Sequence, residues 1–105
     1  MSTSKEFVEY VCEQIHKIGF LRYKKMFGEY MIYVNDKPIL LVCDNTVYIK
    51  KLDCLSELMK EEPIEIPYPG AKEHYILDIE NYQLSQKAIS ILEPITPLPK
   101  SKKKK

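Results

Sequence analysis

Two short pairs of polar residues constrain the fold of this chain more than any other feature. Asn35-Asp36 and Asp44-Asn45 interrupt a stretch rich in Val, Ile, Leu and Tyr that runs from Leu21 to Lys51. Asn and Asp tolerate positive φ angles, which the two-residue turns of β-hairpins require. The pattern therefore predicts consecutive antiparallel strands joined by two tight turns.

If each pair forms a two-residue turn, the strand register follows. The expected pairs are Val34–Lys37, Ile32–Ile39 and Tyr30–Leu41 around the first turn, and Cys43–Thr46 and Leu41–Tyr48 around the second. Because side chains alternate across a strand, this register predicts two faces. The face expected to meet the helices comprises Met31, Tyr33, Leu40, Val42, Val47 and Ile49. The opposite face, called the predicted interface below, comprises Tyr30, Ile32, Val34, Ile39, Leu41 and Tyr48.

The predicted interface is too apolar to lie free in water, yet polar residues stand at its ends. Exposed apolar surface of that size usually marks a contact with something else. Two alternatives remain for what covers this face, namely another element of the same chain or a second subunit. The second alternative predicts a homodimer.

Helical patterns lie at both ends of the chain. Apolar residues recur at helical spacing over residues 3–18, and Thr3 followed by Glu6 has the spacing of a capping box. A second apolar stripe predicts a C-terminal helix. Its members are Leu84, Ala88, Ile91, Leu92 and Ile95.

Shorter patterns complete the order of elements. The two further predicted strands are Leu21–Phe27 and Tyr75–Ile79, and a short helix is predicted over Leu52–Lys60. The prolines of Pro63–Gly70 predict a loop without regular structure. The predicted class is α+β, with a largely antiparallel β-sheet and the N-terminal and C-terminal helices packed on one face. We expect one domain over residues 1–96 and a disordered, lysine-rich tail over residues 97–105.

Charge is divided unevenly along the chain. The net charge is +1, and the five lysines of residues 100–105, removed from that total, leave the remainder at −4. The folded part is therefore no general nucleic-acid binder, and weak, sequence-nonspecific DNA contact falls to the tail and to a basic stretch in the first strand. The candidate nucleic-acid contacts are Arg22, Lys24, Lys25, Lys100, Lys102, Lys103, Lys104 and Lys105. In a strand, Arg22 and Lys24 share one face while Tyr23 and Lys25 share the other, which splits the stretch.

No spacing of residues predicts a catalytic, cofactor or metal site. No Cys or carboxylate spacing around His16 or His74 imposes a metal site, and the glycines form no phosphate-binding loop. A reactive cysteine needs a base or a positive environment that lowers its pKa, and the sequence places no such group at Cys43 or Cys54. We therefore expect a protein that is not an enzyme and binds no cofactor. Three widely spaced cysteines, no secretory pattern and no long apolar run predict a cytoplasmic protein without membrane contact.

One stretch resembles a known family. Lys25-Met26-Phe27-Gly28-Glu29 followed by a tyrosine-bearing strand is similar to the signature of the TfoX N-terminal domain, and Thr46–Lys50 resembles a later strand of that family. The resemblance covers roughly residues 4–93, with Glu29 and Asp36 standing where the family usually has glycine. The small YjbR-like proteins are a second, weaker kinship.

The resemblance implies a background in competence and transcription regulation. The expected function is a regulatory or protein-interaction module that acts as a homodimer. A component of the transcription machinery is a further candidate partner. The alternative is an accessory protein that binds DNA weakly through its basic tail.

Overall fold

The computed structural model describes residues 3–26 and 29–98. Within these ranges the helices are α1 (Lys5–Gln14) and α2 (Tyr82–Ile95), and the strands are β1 (Leu21–Met26), β2 (Glu29–Val34), β3 (Lys37–Cys43), β4 (Thr46–Lys50), β5 (Ile64–Glu65) and β6 (His74–Ile76). The strands form one antiparallel sheet in the order β1-β2-β3-β4-β6-β5. The predicted α+β class is confirmed. Phe27 and the lysine tail from residue 99 onward lie outside the described residues.

Both polar pairs form the predicted turns. The φ angles are 54° and 68° at Asn35 and Asp36, and 52° and 56° at Asp44 and Asn45. Two successive residues with positive φ match a type I′ turn, whose twist suits a hairpin. Around the second turn, the predicted pairs Cys43–Thr46 and Leu41–Tyr48 are confirmed.

A β-bulge changes the register of the first hairpin. Val34 lies opposite Lys37 as predicted, but Ile32 lies opposite Leu40 and Tyr30 opposite Val42, so Ile39 is one extra residue on β3. The predicted pairs Ile32–Ile39 and Tyr30–Leu41 are therefore wrong. A bulge shifts all later pairs by one residue, and side-chain alternation alone does not reveal it.

The bulge moves part of the predicted interface into the core. Tyr30, Ile32 and Val34 are buried on the helix side of the sheet, which is a correction of the predicted faces. Met31 and Tyr33, predicted to meet the helices, lie on the opposite side instead and are half-buried. The burial of Leu40, Val42, Val47 and Ile49 is confirmed.

The helix side is completed by both helices. Val8 and Val11 of α1, its C-cap residue Ile15, and Ile89 and Leu92 of α2 are buried in the same core as the sheet. Two members of the α2 stripe predicted from the sequence, Ile91 and Ile95, are exposed. The buried face of α2 includes Ser85 and Ile89, which were not in the predicted stripe.

The start of α1 is held differently from the prediction. Ser4 is the N-cap, and its hydroxyl accepts a hydrogen bond from the Phe7 amide at 3.2 Å, so the capping box of Thr3 and Glu6 is wrong. Thr3 is buried and its hydroxyl donates to Glu29 Oε1 at 2.8 Å. The Asn45 amide donates to the same hydroxyl at 3.2 Å. These bonds attach the beginning of α1 to β2 and to the second turn.

A half-buried ion pair joins the first hairpin to α2. Lys37 Nζ lies 3.1 Å from Glu93 Oε2 and donates to the Glu93 carbonyl oxygen at 3.1 Å. A cation at the carboxyl end of a helix is also favoured by the helix dipole. The pair fixes α2 across the helix side of the sheet.

The segment after β4 differs from the prediction in two places, since it contains an extra strand and lacks a regular α-helix over Leu52–Lys60. Ile64–Glu65 pairs with β6, so the expectation of no regular element over Pro63–Gly70 is wrong there. Leu52–Lys60 is a 3-10 turn (Asp53–Leu55) followed by irregular turns. No helix among the described residues is long and apolar enough to cross a membrane.

The bulge predicts unequal costs for truncating two neighbouring side chains. Ile32 is 0% exposed, so Ile32→Ala should lower the free energy of unfolding by about 2–5 kcal/mol. Met31→Ala should lower it by less than half as much, because Met31 is only half-buried. Urea denaturation of both variants measures the difference. A larger loss for Met31→Ala than for Ile32→Ala would contradict the assigned faces.

Candidate binding groove

An open groove of about 880 Å³ lies on the side of the sheet opposite α1 and α2. We call this side the groove side. Its floor is formed by Met31 of β2, Leu41 of β3 and Tyr48 of β4. All three are aligned across the sheet, because Met31 lies opposite Leu41 and Leu41 lies opposite Tyr48.

The bulge shapes the floor at one end. Pro38 and Ile39, the residues around the bulge, both line the groove. The extra residue places Leu41 opposite Met31 rather than opposite Tyr30. The bulge therefore decides that Met31 lies beside Leu41 and Tyr48 in the apolar floor.

A loop after β5 forms a wall of the groove. Tyr68 and Ala71 line it, and the Ala71 amide donates to the Tyr68 carbonyl oxygen at 3.0 Å. Gly70 between them has a φ of +89°, a conformation that glycine adopts without strain. The pairing of β5 with β6 anchors the segment that leads into this loop.

Cations gather at one end of the groove. Lys50, Lys51 and Lys72 contribute to the lining beside His74, and Lys50 lies directly opposite His74 in the sheet. Lys51 Nζ lies 4.0 Å from Glu73 Oε1, a long contact that offsets part of one charge. The other end, at the second turn, holds Glu29.

The polar groups around the floor already have partners. The Tyr48 hydroxyl donates to Glu65 Oε1 at 3.2 Å. Burial, together with this bond to a carboxylate, raises the pKa of Tyr48. His74 Nδ1 lies 2.8 Å from the Lys72 carbonyl oxygen, which can only accept, so Nδ1 carries the hydrogen. Glu29 accepts from Thr3 and from the Asp44 amide.

Cys12 and Cys43 are unsuited to nucleophilic chemistry. All three cysteines are free thiols. Burial raises the pKa of Cys43, at the edge of the groove, to about 11, and it raises the pKa of Cys12 to about 11 as well. Thiols with such values remain protonated at neutral pH. Over residues 3–26 and 29–98 no group of His, Cys, Asp and Glu could hold a metal ion.

The basic stretch of β1 is divided between the two sides of the sheet. Arg22 Nε lies 3.1 Å from Asp36 Oδ1, and the guanidinium sits 4.9 Å from the centre of the Tyr33 ring on the groove side. Tyr23 packs on the helix side against Tyr30, with ring centres 5.7 Å apart, and donates to Glu9. Arg22, Lys24 and Lys25 therefore do not form one continuous patch with Tyr23. Lys100, Lys102, Lys103, Lys104 and Lys105 lie outside the described residues.

A second feature lies at the outer edge of the sheet. Ile64, Ile66 and Tyr68 are 45%, 56% and 52% exposed, three large apolar side chains within five residues. We call residues 64–68 the apolar edge segment. It begins with the short strand β5 and supplies Tyr68 to the groove wall.

Sequence reasoning found part of the groove and missed the rest. Leu41 and Tyr48 of the predicted interface do lie on the groove side, and Ile39 lines the groove at the bulge. Lys72, His74 and the wall around Tyr68 were not predicted. Their proximity to β3 and β4 depends on the β4–β6 pairing, for which the local sequence gives no signal.

Comparison with known proteins defines the family. The model of the TfoX N-terminal domain matches residues 13–90. This chain therefore belongs to the TfoX N-terminal domain family, which confirms the resemblance seen in the sequence. The match spans all the strands of the sheet, most of α2 and the last two residues of α1.

A relative from Spirochaeta aurantia has nearly the same length. The "uncharacterized 12.7 kDa protein in trpE 5′ region" of Spirochaeta aurantia is 32% identical over 107 residues. The alignment covers 100% of this chain and 93% of the relative. The name of that protein describes a gene neighbourhood and no activity.

The environments of the three cysteines predict selective alkylation. Cys54 is exposed, whereas Cys43 is buried and its raised pKa keeps it as a thiol. With iodoacetamide at mildly alkaline pH, Cys54 should be modified well before Cys43 and Cys12. Peptide mass spectrometry of the native protein measures the order, with urea-unfolded protein as the control. Equal rates in the native protein would contradict the burial of Cys43.

Proposed function

We propose that this chain is a non-enzymatic regulatory module that acts through protein contact and functions as a homodimer. The apolar edge segment is the observation on which the proposal rests. Exposed apolar side chains scattered singly are common, but three within five residues favour an interaction site. Membership of the TfoX N-terminal domain family supports a regulatory role. A protein of the transcription machinery is the partner class that this background favours.

The proposed contact is made by side-chain packing rather than by strand addition. Pro63 and Pro67 flank the exposed part of β5, and proline has no amide hydrogen to extend a sheet. β5 itself has two residues, too few for a ladder with a second chain. In a twofold dimer the same apolar side chains serve both subunits, which doubles the buried surface from one segment.

Several features support a non-enzymatic role. A catalytic site needs a group poised to accept or donate a proton, or an activated nucleophile. In the groove, Tyr48 is hydrogen-bonded to Glu65, Glu29 to Thr3, and Cys43 has a pKa of about 11. These groups stabilise the fold. We also place the protein in the cytoplasm, a location in keeping with its three free thiols.

A charge placed in the apolar edge segment should disrupt the proposed dimer. Ile66→Asp should shift the protein from dimer to monomer, because a carboxylate would be buried in the contact. Ile95→Asp is the matched control, since Ile95 is also 56% exposed but lies on α2. Sedimentation velocity of wild-type protein and both variants measures the mass.

Two results would contradict the proposed dimer. The first is a wild-type monomer at the highest concentration tested. The second is equal dissociation by Ile66→Asp and Ile95→Asp, which would mean that no specific surface is involved. Circular dichroism of each variant verifies that the fold is retained.

Weak DNA contact through the tail is a second proposal, supported by the charge of residues 100–105. Five lysines can give a log–log salt slope of up to roughly −4.5. Deleting residues 100–105 should abolish retention on DNA at low salt, whereas Lys24→Gln with Lys25→Gln should retain most of it. Fluorescence anisotropy with a labelled duplex at several salt concentrations measures this. Unchanged affinity after the deletion would rule out the tail as the carrier.

A further inference from the structure

We propose that the groove is a binding site for a small amphipathic anion, which is a molecule with an apolar body and one carboxylate or similar head. The body would lie on Met31, Leu41 and Tyr48, and the head would lie among Lys50, Lys72 and His74. This inference goes beyond the proposed dimer contact, because it concerns the groove side of the sheet. It needs no second protein.

The size and floor of the groove suit such a ligand. Small-molecule sites in proteins are clefts of about 300–1,000 Å³ with mostly apolar linings, and this groove has about 880 Å³. The floor runs along β3 from Ile39 to Cys43, four residue steps or roughly 13 Å. Apolar groups of β2, β3 and β4 cover that distance. A medium-length alkyl chain or a fused ring system would displace water from all of them.

The charges orient the ligand. Lys50 ends β4, whereas Glu29 lies at the opposite end beside the second turn, where it accepts from the Asp44 amide at 3.1 Å. Lys51 is in contact with Glu73, but within the part of the chain that the structure describes neither Lys50 nor Lys72 has an ion-pair partner. The head of the ligand is therefore negative and lies at the Lys50 end.

Hydrogen bonding favours a small molecule over a peptide. The floor is a face of the sheet, so its backbone amides and carbonyls are engaged within the sheet and are not offered to a ligand. The hydroxyl of Tyr48 and Nδ1 of His74 are also engaged. An extended peptide would leave its own amides unpaired there, at a cost of about 1–3 kcal/mol for each buried group. An alkyl or aromatic body has no such groups.

Isothermal titration of the full chain with three probes tests the proposal. The probes are decanoate, decyltrimethylammonium and a short acidic peptide with alternating apolar residues, the first two below their micellar concentrations. Decanoate should bind saturably, and in NMR spectra it should shift the amide resonances of β3, β4 and β6. The cation with the same alkyl chain should bind at least about tenfold more weakly. This comparison uses wild-type protein and does not depend on a variant that must fold.

Charge reversal at the head end provides the second arm. Lys50→Glu with Lys72→Glu should weaken decanoate binding by about tenfold or more. The matched control is Lys17→Glu with Lys87→Glu, which makes the same change of charge at two exposed residues outside the groove. Four results would each overturn the proposal. They are equal affinity for decanoate and the cation, unchanged affinity for decanoate in the groove variant, tighter binding of the peptide than of decanoate, and no saturable binding of decanoate. Since these readouts are independent of protein mass, their failure is distinct from failure of the proposed dimer.

Discussion

The extra residue at Ile39 is the constraint on which the arrangement of this domain depends. One β-bulge in β3, between the two turns, shifts by one residue the side chains of β3 that lie opposite those of β2. As a result Ile32 lies opposite Leu40 on the helix side, and Met31 lies opposite Leu41 on the groove side. Bulges are common beside functional sites because they redirect side chains without breaking the sheet.

Both sides of the sheet use this arrangement. On the helix side, Lys37 reaches Glu93 and so fixes α2, while Thr3 attaches the start of α1 through Glu29. Buried polar groups with partners of this kind stabilise one packing over others. On the groove side, opposite α1 and α2, the same strands present an apolar floor with cations at one end. The sheet thus separates a structural side from a side that is open to binding.

Local chemistry explains which features could be predicted from the sequence. The two turns were predictable because Asn and Asp at Asn35, Asp36, Asp44 and Asn45 favour positive φ whatever their surroundings. The bulge was missed, although Pro38 gave a signal, since proline within a central strand is found essentially only at bulges. The groove wall was not predictable, because the position of Tyr68 depends on pairing between β4 and β6, which are far apart in the sequence.

Cross-strand NOEs between β2 and β3 test the central claim most directly, because the bulge decides what forms the groove. The account predicts contacts between backbone protons of Met31 and Leu41 and of Ile32 and Leu40. Contacts between Ile32 and Ile39 and between Tyr30 and Leu41 would contradict it. That result would return Met31 to the core and remove it from the floor of the groove.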